Sequence, residues 1–229
     1  MKPSIAYGTQ RRSEVPTLQI TSSTPLLLAS ASPRRREILS LLRIPYRAQA
    51  VDVDERRLAG ECAETFLQRV VRDKLAAACR LERHGEPAVL VADTIVVVDG
   101  DVLGKPVDED DAYRLLTRIS GRSHIVYTRY AIAGETDEPL IERTVNSSVT
   151  MHGASPTQLR NYARTGEGLD KAGAYAVQGI GAFLVEAIDG SYTNVVGLPA
   201  CELVQDLQTL GLLLDYPPAQ EIDPNQTTS

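Results

Sequence analysis

The sequence has few of the features that mark secreted, membrane-spanning or general nucleic-acid-binding proteins. Its only three cysteines, Cys62, Cys79 and Cys201, form no CxxC pair and have no histidine at zinc-binding spacing. We therefore expect reduced thiols in a cytoplasmic protein. No apolar run approaches transmembrane length, and the N-terminus lacks an apolar signal segment. The formal net charge of −6 argues against a nucleic-acid partner, because such proteins rely on Lys and Arg.

Several common catalytic and phosphate-binding motifs are also missing. The chain has no nucleophile elbow and no HExxH, which argues against a Ser-His-Asp hydrolase. Its three histidines, His84, His124 and His152, are expected on the surface or in the core rather than in catalysis. The glycine-rich stretch 166–181 has neither GxxxxGK[ST] nor GxGxxG spacing, so we interpret it as a loop that folds over a ligand or a strand.

The composition is that of an ordinary globular protein, with 43% hydrophobic and 24% charged residues in 229. Residues 1–24 lack apolar periodicity and are predicted to be a flexible extension. Residues 25–215 are predicted to fold, and residues 216–229 to form a flexible tail. At this length the chain can form one large domain or two small lobes around a cleft.

Short apolar runs and helical segments alternate along the folded part. Strands are predicted at 26–29, 89–92, 95–98, 101–103, 124–133, 140–151, 183–188 and 192–196, with tight hairpins at Asp99-Gly100 and Asp189-Gly190. Helices are predicted after Pro33, over 63–83, from Pro156 to about Gly166 and over 199–210. Because hairpins mix with helices, the pattern predicts an α/β fold with a mixed sheet.

The segment Ser30–Arg35 has the properties of an anion-binding site. A strand ends here and a helix begins, so free backbone N–H groups and the positive end of the helix dipole coincide. The hydroxyls of Ser30 and Ser32 add donors, and Arg34 and Arg35 add guanidinium groups that match phosphate. A plain helix capped by Ser32, with solvated arginines, is the alternative interpretation.

Three further positions carry charge where a ligand could use it. Asp93-Thr94 follows the apolar run 89–92, and an Asp at a strand end can hold a divalent ion or accept a proton, although it can also merely cap a loop. Lys74 falls on the apolar stripe of the helix 63–83, where it must meet an anion or extend to the surface. Lys105 follows a tight hairpin and is a candidate phosphate contact. The side chain of Gln178 can both donate a hydrogen bond to the edge of a base and accept one from it. The alternative is a glutamine that is simply exposed to solvent.

Five motifs in order resemble the Maf family of nucleotide pyrophosphatases. They are LASASPRRREIL (28–39), VADTIVVVDGDVLGKP (91–106), GRSHIVYT (121–128), LDKAGAYAVQGIGAFLVEAIDGSY (169–192) and NVVGLP (194–199). The resemblance covers nearly the whole predicted fold. It implies two α/β lobes around a cleft, similar to the inosine triphosphatase group, with a mixed twisted sheet and flanking helices.

The resemblance also implies an activity, which is hydrolysis of a nucleoside triphosphate to the monophosphate and pyrophosphate with Mg²⁺ or Mn²⁺. It identifies Asp93 as the proton acceptor, and it places Glu55, Lys74 and Lys105 among the catalytic cleft residues. Asp93 and Glu55 are then the expected metal ligands, although the neighbouring Asp52 and Asp54 compete for the role of Glu55.

The branch of the family that acts on dTTP, UTP and modified uridine triphosphates carries SPRR, DKAGAY and QG, as this chain does. In that branch Arg34, Thr94 and Gln178 correspond to the positions that tune the choice of base. Two alternatives are a 7-methyl-GTP pyrophosphatase and a nucleotide-binding regulator of cell division, because family members have been linked to septum formation. A homodimer is expected from the resemblance alone.

Overall fold

The computed structural model describes residues 18–218 and shows one seven-stranded sheet with flanking helices. The strands are β1 (Leu26–Leu28), β2 (Tyr46–Ala48), β3 (Val89–Val98), β4 (Asp101–Leu103), β5 (Ser123–Ala133), β6 (Pro139–Met151) and β7 (Val185–Asp189). The α-helices are α1 (Pro33–Leu41), α2 (Ala63–Ala78), α3 (Glu109–Ile119), α4 (Pro156–Arg164), α5 (Tyr192–Val196) and α6 (Ala200–Thr209). Short 3-10 turns cover Ala172–Ala174 and Gly179–Leu184.

The sheet is mixed. Its strands lie in the order β2-β1-β3-β5-β6-β7, and β4 pairs with β3 outside this path. β1 runs parallel to both β2 and β3, whereas the pairs from β3 through β5 and β6 to β7 are antiparallel. The predicted α/β fold with a mixed sheet is therefore confirmed.

Alternate side chains of the parallel half face two separate hydrophobic clusters, because the side-chain period of a strand is two residues. In β1, Leu26 and Leu28 pack into a cluster that contains residues of α1 and α6. Leu27 instead joins the cluster formed with α2. The helices therefore cover both faces of this half of the sheet.

A third cluster forms a second lobe. Its members are side chains from the far end of β3, from β4, α3, α4 and the middle strands, among them Val96, Leu103, Leu116 and Leu159. β3 contributes to both lobes, since Leu90 packs in the first and Val96 in the second. The point at which β3 passes from one lobe to the other holds Asp93 and Thr94.

Two strand predictions were wrong, one in where the strand ends and one in the type of element. The strand 89–92 does not end at Asp93, because Asp93 and Thr94 pair with Arg129 and Thr128 of β5 and keep the ladder continuous to Val98. The predicted strand 192–196 is helix α5. There the Ser191 hydroxyl accepts a hydrogen bond from the Asn194 amide, which is a helix cap rather than a hairpin contact.

The structure also adds elements that the sequence did not reveal. Helix α3 begins after Asp108, whose carboxylate accepts from the Asp111 amide, and the short strand β2 extends the sheet. The helix predicted to reach residue 83 ends at Ala78. The hairpin at Asp99-Gly100 and the helices that begin at Pro33 and Pro156 are confirmed.

The predicted domain boundaries stay predictions, because residues 1–17 and 219–229 lie outside the described part of the chain. Near its ends, the Ile20 amide donates to the Leu212 carbonyl, and the Tyr216 hydroxyl donates to the Leu42 carbonyl. Within residues 18–218, no helix combines the length and the apolar character needed to traverse a bilayer.

Candidate active site

A cleft with a volume of about 330 Å³ lies over the middle of β3. Both lobes supply its walls, since Ala29 belongs to the first lobe and Val96 to the second. The structure brings all of the predicted site residues to this cleft, namely Ser30, Ser32, Arg34, Arg35, Glu55, Lys74, Asp93, Thr94, Lys105 and Gln178. These residues are spread along the chain from position 30 to position 178, so only the fold brings them together.

The turn from β1 into α1 forms one wall. The Ser30 hydroxyl accepts a hydrogen bond from the Ser32 amide, at 3.2 Å. Ser32 occupies the N-cap position and Pro33 is the first helical residue, but the Ser32 side chain makes no capping hydrogen bond. Ser32 therefore occupies the predicted N-cap position without capping the helix through its side chain. It lines the cleft.

Arg35 is buried and fixed by three protein acceptors. Its guanidinium donates to the Gly197 carbonyl at 2.9 Å, to Ser30 Oγ at 3.0 Å and to Thr94 Oγ1 at 3.2 Å. Burial lowers the pKa of Arg35, and the Asp93 charge acts in the opposite direction. Arg35 thus connects the first wall of the cleft to the centre of β3.

Lys74 lies between two carboxylates. Its Nζ is 2.7 Å from Asp93 Oδ1 and 2.6 Å from Glu55 Oε1. The residue is only 7% exposed, so it points inward rather than to the surface, and the chain itself supplies the anions that a buried lysine requires. Burial acts to raise the pKa of Glu55, but the hydrogen bond and charge of Lys74, with the charges of Lys105 and Arg35, outweigh it and lower that pKa.

Arg34 is paired with a residue that the sequence analysis did not single out. Its Nη1 lies 2.8 Å from Asp170 Oδ2, and the Lys171 ammonium lies 2.6 Å from Asp170 Oδ1. Burial acts to raise the pKa of Asp170, but the hydrogen bonds from Lys171 and Arg34 lower it to about 2. Only the Asp-Lys pair inside the glycine-rich stretch hinted at this contact.

A row of hydrogen-bonded residues, Thr94, Thr128 and Asn194, holds the Thr94 side chain in place. Thr94 Oγ1 lies 2.9 Å from Thr128 Oγ1, and the Thr128 hydroxyl donates to the Asn194 carbonyl at 3.0 Å. Asn194 is fully buried, and its side-chain amide donates to the Val126 carbonyl and to Ser147 Oγ. The sequence showed no sign of this row, because Thr128 meets Thr94 only through the pairing of β3 with β5.

The polar groups of the Lys105 and Gln178 side chains have no hydrogen-bond or ion-pair partner among the described residues, 18–218. Both side chains line the cleft. An ammonium and an amide in such positions can contact an anionic and a polar part of one ligand.

The donor set fits a divalent ion that is shared with a ligand. Asp93 and Glu55 supply two carboxylates that meet at Lys74. In the described part of the chain, no group of three or more His, Cys, Asp or Glu residues is placed to hold a metal ion by itself. Mg²⁺ is usually held by one or two carboxylates together with substrate phosphates rather than by a cage of protein ligands alone. Two carboxylates beside the turn from β1 into α1 match that mode.

Comparison with known proteins gives consistent matches. The family model described as Maf-like protein matches residues 25–210. A dTTP/UTP pyrophosphatase of Myxococcus xanthus (strain DK1622) is 48% identical over 193 residues, which cover 84% of this chain and 96% of that protein. Proteins of the same name from Geobacter sulfurreducens (strain ATCC 51573 / DSM 12127 / PCA) and Yersinia pestis bv. Antiqua (strain Antiqua) are 46% and 45% identical, over 82% and 78% of this chain and 97% and 89% of theirs.

Proposed function

Because the chain belongs to the Maf family, we propose that it is a hydrolase that cleaves dTTP and UTP, and modified uridine triphosphates, to the monophosphate and pyrophosphate. The observation that carries this proposal is the cleft at the centre of β3, where a phosphate-binding helix start faces the ion pairs of Lys74 with Asp93 and Glu55. The relatives that are named dTTP/UTP pyrophosphatase match most of the chain.

In this proposal the triphosphate lies against the turn from β1 into α1. The backbone N–H groups of Ser30–Ser32, the Arg34 and Arg35 guanidinium groups and the Lys105 ammonium supply donors and positive charge. The anions that Lys74 meets are the carboxylates of Asp93 and Glu55, which it holds in place. It therefore acts through these two carboxylates.

Asp93 accepts a proton from the water that attacks the α-phosphorus. As the new P–O bond forms, the bond from the α-phosphorus to the bridging oxygen breaks, and pyrophosphate leaves with that oxygen. Asp93 and Glu55 would hold Mg²⁺ or Mn²⁺, which supplies positive charge beside the phosphoryl oxygens and makes a nearby water more acidic. Lys105 and Arg35 offset charge that grows on the phosphates.

Selection of the base rests on Arg34, Thr94 and Gln178. All three line the cleft, and the Gln178 amide can donate to and accept from the edge of uracil or thymine. The ion pair with the Asp170 carboxylate fixes the orientation of the Arg34 side chain. Hydrogen bonds with Arg35 and Thr128 fix the Thr94 side chain. Arg34 and Thr94 are therefore held in place before a pyrimidine binds.

We further propose a cytoplasmic homodimer. The thiols of Cys62, Cys79 and Cys201 are free, as is usual in a reducing compartment. The dimer is expected from the family resemblance, and analytical ultracentrifugation of the whole chain tests it.

Release of pyrophosphate from dTTP, UTP, dCTP and 7-methyl-GTP tests the function directly. We expect turnover of dTTP and UTP with Mg²⁺ or Mn²⁺ and loss of turnover with a chelator. Asp93→Asn should lower kcat about 10²- to 10⁴-fold, because it removes the proton acceptor. The exposed Asp137→Asn makes the same charge change away from the cleft and is the control.

Near-normal turnover by a folded Asp93→Asn protein would contradict the assignment of Asp93. A wild-type protein that binds these nucleotides without cleaving any of them would favour the regulatory alternative. Cleavage of 7-methyl-GTP in preference to dTTP would move the protein to the other substrate branch.

A further inference from the structure

The position of Gln178 depends on the backbone that carries it. Its side chain makes no hydrogen bond with any residue in 18–218, so contacts of the side chain itself do not orient it within the protein. The segment that carries it, residues 176–181, has no strand pairing and includes the start of a 3-10 turn. Whatever fixes this segment therefore fixes the group that reads the base.

Glu167 fixes one side of the segment. Its carboxylate accepts hydrogen bonds from the Ile180 amide at 2.9 Å and from the Gly181 amide at 2.7 Å. The same carboxylate accepts from the Tyr162 hydroxyl at 2.8 Å. Glu167 does not line the cleft, so these bonds are its contribution to the site.

Tyr162 fixes the other side. Its hydroxyl oxygen accepts a hydrogen bond from the Ala176 amide at 3.0 Å, and the same hydroxyl donates a hydrogen bond to the Glu167 carboxylate. Gln178 thus lies between two points at which the backbone is tied to one pair of side chains, the buried Tyr162 and the half-buried Glu167. Tyr162 itself is anchored in the core of the second lobe on helix α4.

Glycines permit the close approach that this arrangement needs. Gly179 has a φ of +75°, and a Cβ at this position would lie 2.3 Å from Glu167 Oε1. A Cβ on Gly181 would lie 2.4 Å from the Ala176 carbonyl oxygen and 2.5 Å from the Tyr162 hydroxyl. A side chain at either position would push the segment away from Glu167.

The backbone of Glu167 is also linked to Arg34, the other long side chain that is proposed to select the base. The Lys171 ammonium donates to the Glu167 carbonyl at 2.5 Å and to Asp170 at 2.6 Å. Asp170 in turn holds Arg34 at 2.8 Å. The stretch 167–171 therefore supports both Arg34 and Gln178, with Asp170 and Lys171 in the cleft wall and Glu167 behind it.

We propose that Glu167 is a positioning residue for base selection, which places Gln178 by tying down residues 176–181 together with Tyr162. This inference rests on the proposed pyrimidine nucleoside triphosphate pyrophosphatase activity. Glu167 touches neither the phosphates nor the reacting atoms. Its loss should therefore change which base is accepted more than it changes the rate of bond cleavage.

The test is the ratio of kcat/KM for dTTP to that for dCTP in Glu167→Gln. A glutamine keeps one acceptor oxygen but replaces the other with an amide NH2 group. This group is a donor and cannot accept a hydrogen bond from a backbone N–H. We expect the ratio to fall about tenfold, mainly through a higher KM for dTTP and with kcat retained. The exposed Glu186→Gln makes the same charge change and should keep the wild-type ratio.

A double-mutant cycle separates positioning from a general structural defect. If Glu167 acts through Gln178, then Glu167→Gln lowers the ratio in the wild-type background and adds nothing in a Gln178→Ala background. Tyr162→Phe removes only a hydroxyl and keeps the ring, so it provides the same test if Glu167→Gln does not fold.

Three results would overturn the inference. The first is an unchanged ratio in both Glu167→Gln and Tyr162→Phe. The second is an equal loss in the two backgrounds. In either case, turnover of dTTP by the wild-type protein leaves the proposed function intact. Absence of dTTP turnover in the wild type is the third, and it removes the proposed function together with this inference.

Discussion

At the scale of single residues, the buried Lys74 sets the charge of the proposed catalytic centre. It contacts Asp93 and Glu55, so the three side chains together carry one net negative charge instead of two. Removing one partner from a buried ionic group costs more than the pair itself contributes, because the remaining charges lose their compensation. The two carboxylates are therefore the groups most sensitive to any change at position 74.

Lys74→Met is expected to lower kcat/KM about 100-fold, since a small displacement of catalytic groups has that effect. Loss of the ammonium also removes the main influence that lowers the pKa of Glu55. That pKa should rise, and the acidic limb of the pH profile of kcat/KM should move to higher pH. A profile that keeps its shape and position would contradict the assigned role.

The control for Lys74→Met is Arg36→Met, which removes one positive charge from an exposed position on α1. Its pH profile should match that of the wild type. Lys74→Arg restores the positive charge and should recover part of the lost rate.

Gln178→Ala addresses the choice of base directly. Loss of one bidentate contact corresponds to about 1–3 kcal/mol of discrimination, so the preference for dTTP over dCTP should fall between about 5- and 150-fold. The hydrolysis of a substrate that does not use this contact should be nearly unaffected. An unchanged preference in steady-state kinetics would show that another group reads the base.

At the scale of the elements, two helices of equal length begin in different ways. Helix α4 has a capping box, in which the Ser155 hydroxyl accepts from the Gln158 amide and the Gln158 side chain accepts from the Ser155 amide. Helix α1 also begins with Ser-Pro, but its Ser32 side chain makes no capping bond. The same dipeptide therefore stabilises one helix and leaves a hydroxyl for the cleft in the other.

Ser155→Ala should destabilise the fold by about 1 kcal/mol. For a domain of this size, Tm should fall by about 2–4 °C, which scanning calorimetry measures. Ser32→Ala should change Tm less but raise KM for dTTP. An equal fall in Tm for the two variants would contradict this division, and the exposed Thr157→Ala is the control for α4.

The elements that depend on local signals could be predicted from the sequence, whereas those decided by tertiary pairing could not. Pro33, Pro156 and the Asp99-Gly100 turn marked their boundaries correctly. The stretch 192–196 has β-branched residues that favour a strand, yet the cap at Ser191 makes it a helix. Asp93 was expected at a strand end because polar residues usually mark one, but the ladder with β5 continues through it.

The site could be predicted further than the fold. Eight of the ten candidate residues lie within the five family motifs, and Glu55 and Lys74 lie outside them. The structure places all ten in one cleft. Their partners could not be predicted in the same way. Asp170 lies 136 positions from Arg34, and Glu167 acts through backbone amides, which leave no pattern in the sequence.

At the scale of the whole molecule, β3 joins two lobes that have separate hydrophobic clusters. The second lobe also encloses His124, which is 2% exposed and lies with its Nε2 2.8 Å from the Tyr175 hydroxyl. Burial lowers the pKa of His124 from 6.5 to about 4. Unfolding releases this histidine to water, so the stability of the entire fold depends on its protonation.

The unfolded chain binds a proton at His124 below pH 6.5, whereas the folded protein binds it only near pH 4. This contribution to stability is thus fully present above pH 6.5 and is lost as the pH falls towards 4. At pH 5 the loss should be about 2 kcal/mol. Denaturant unfolding across this range should show a shallower pH dependence for His124→Gln than for wild type. Equal slopes would contradict this account, and the exposed His152→Gln is the control.

The three bonds that hold Arg35 have a thermodynamic consequence for the nucleotide that enters the cleft. A guanidinium group has five N–H donors, and protein acceptors take three of them here. The rotational freedom of this long side chain is given up when the chain folds, and little of it is left to lose when a phosphate arrives. Preorganisation of this kind spares the complex an entropic cost, so the affinity for the triphosphate depends on stability gained earlier, in the folding of the protein itself.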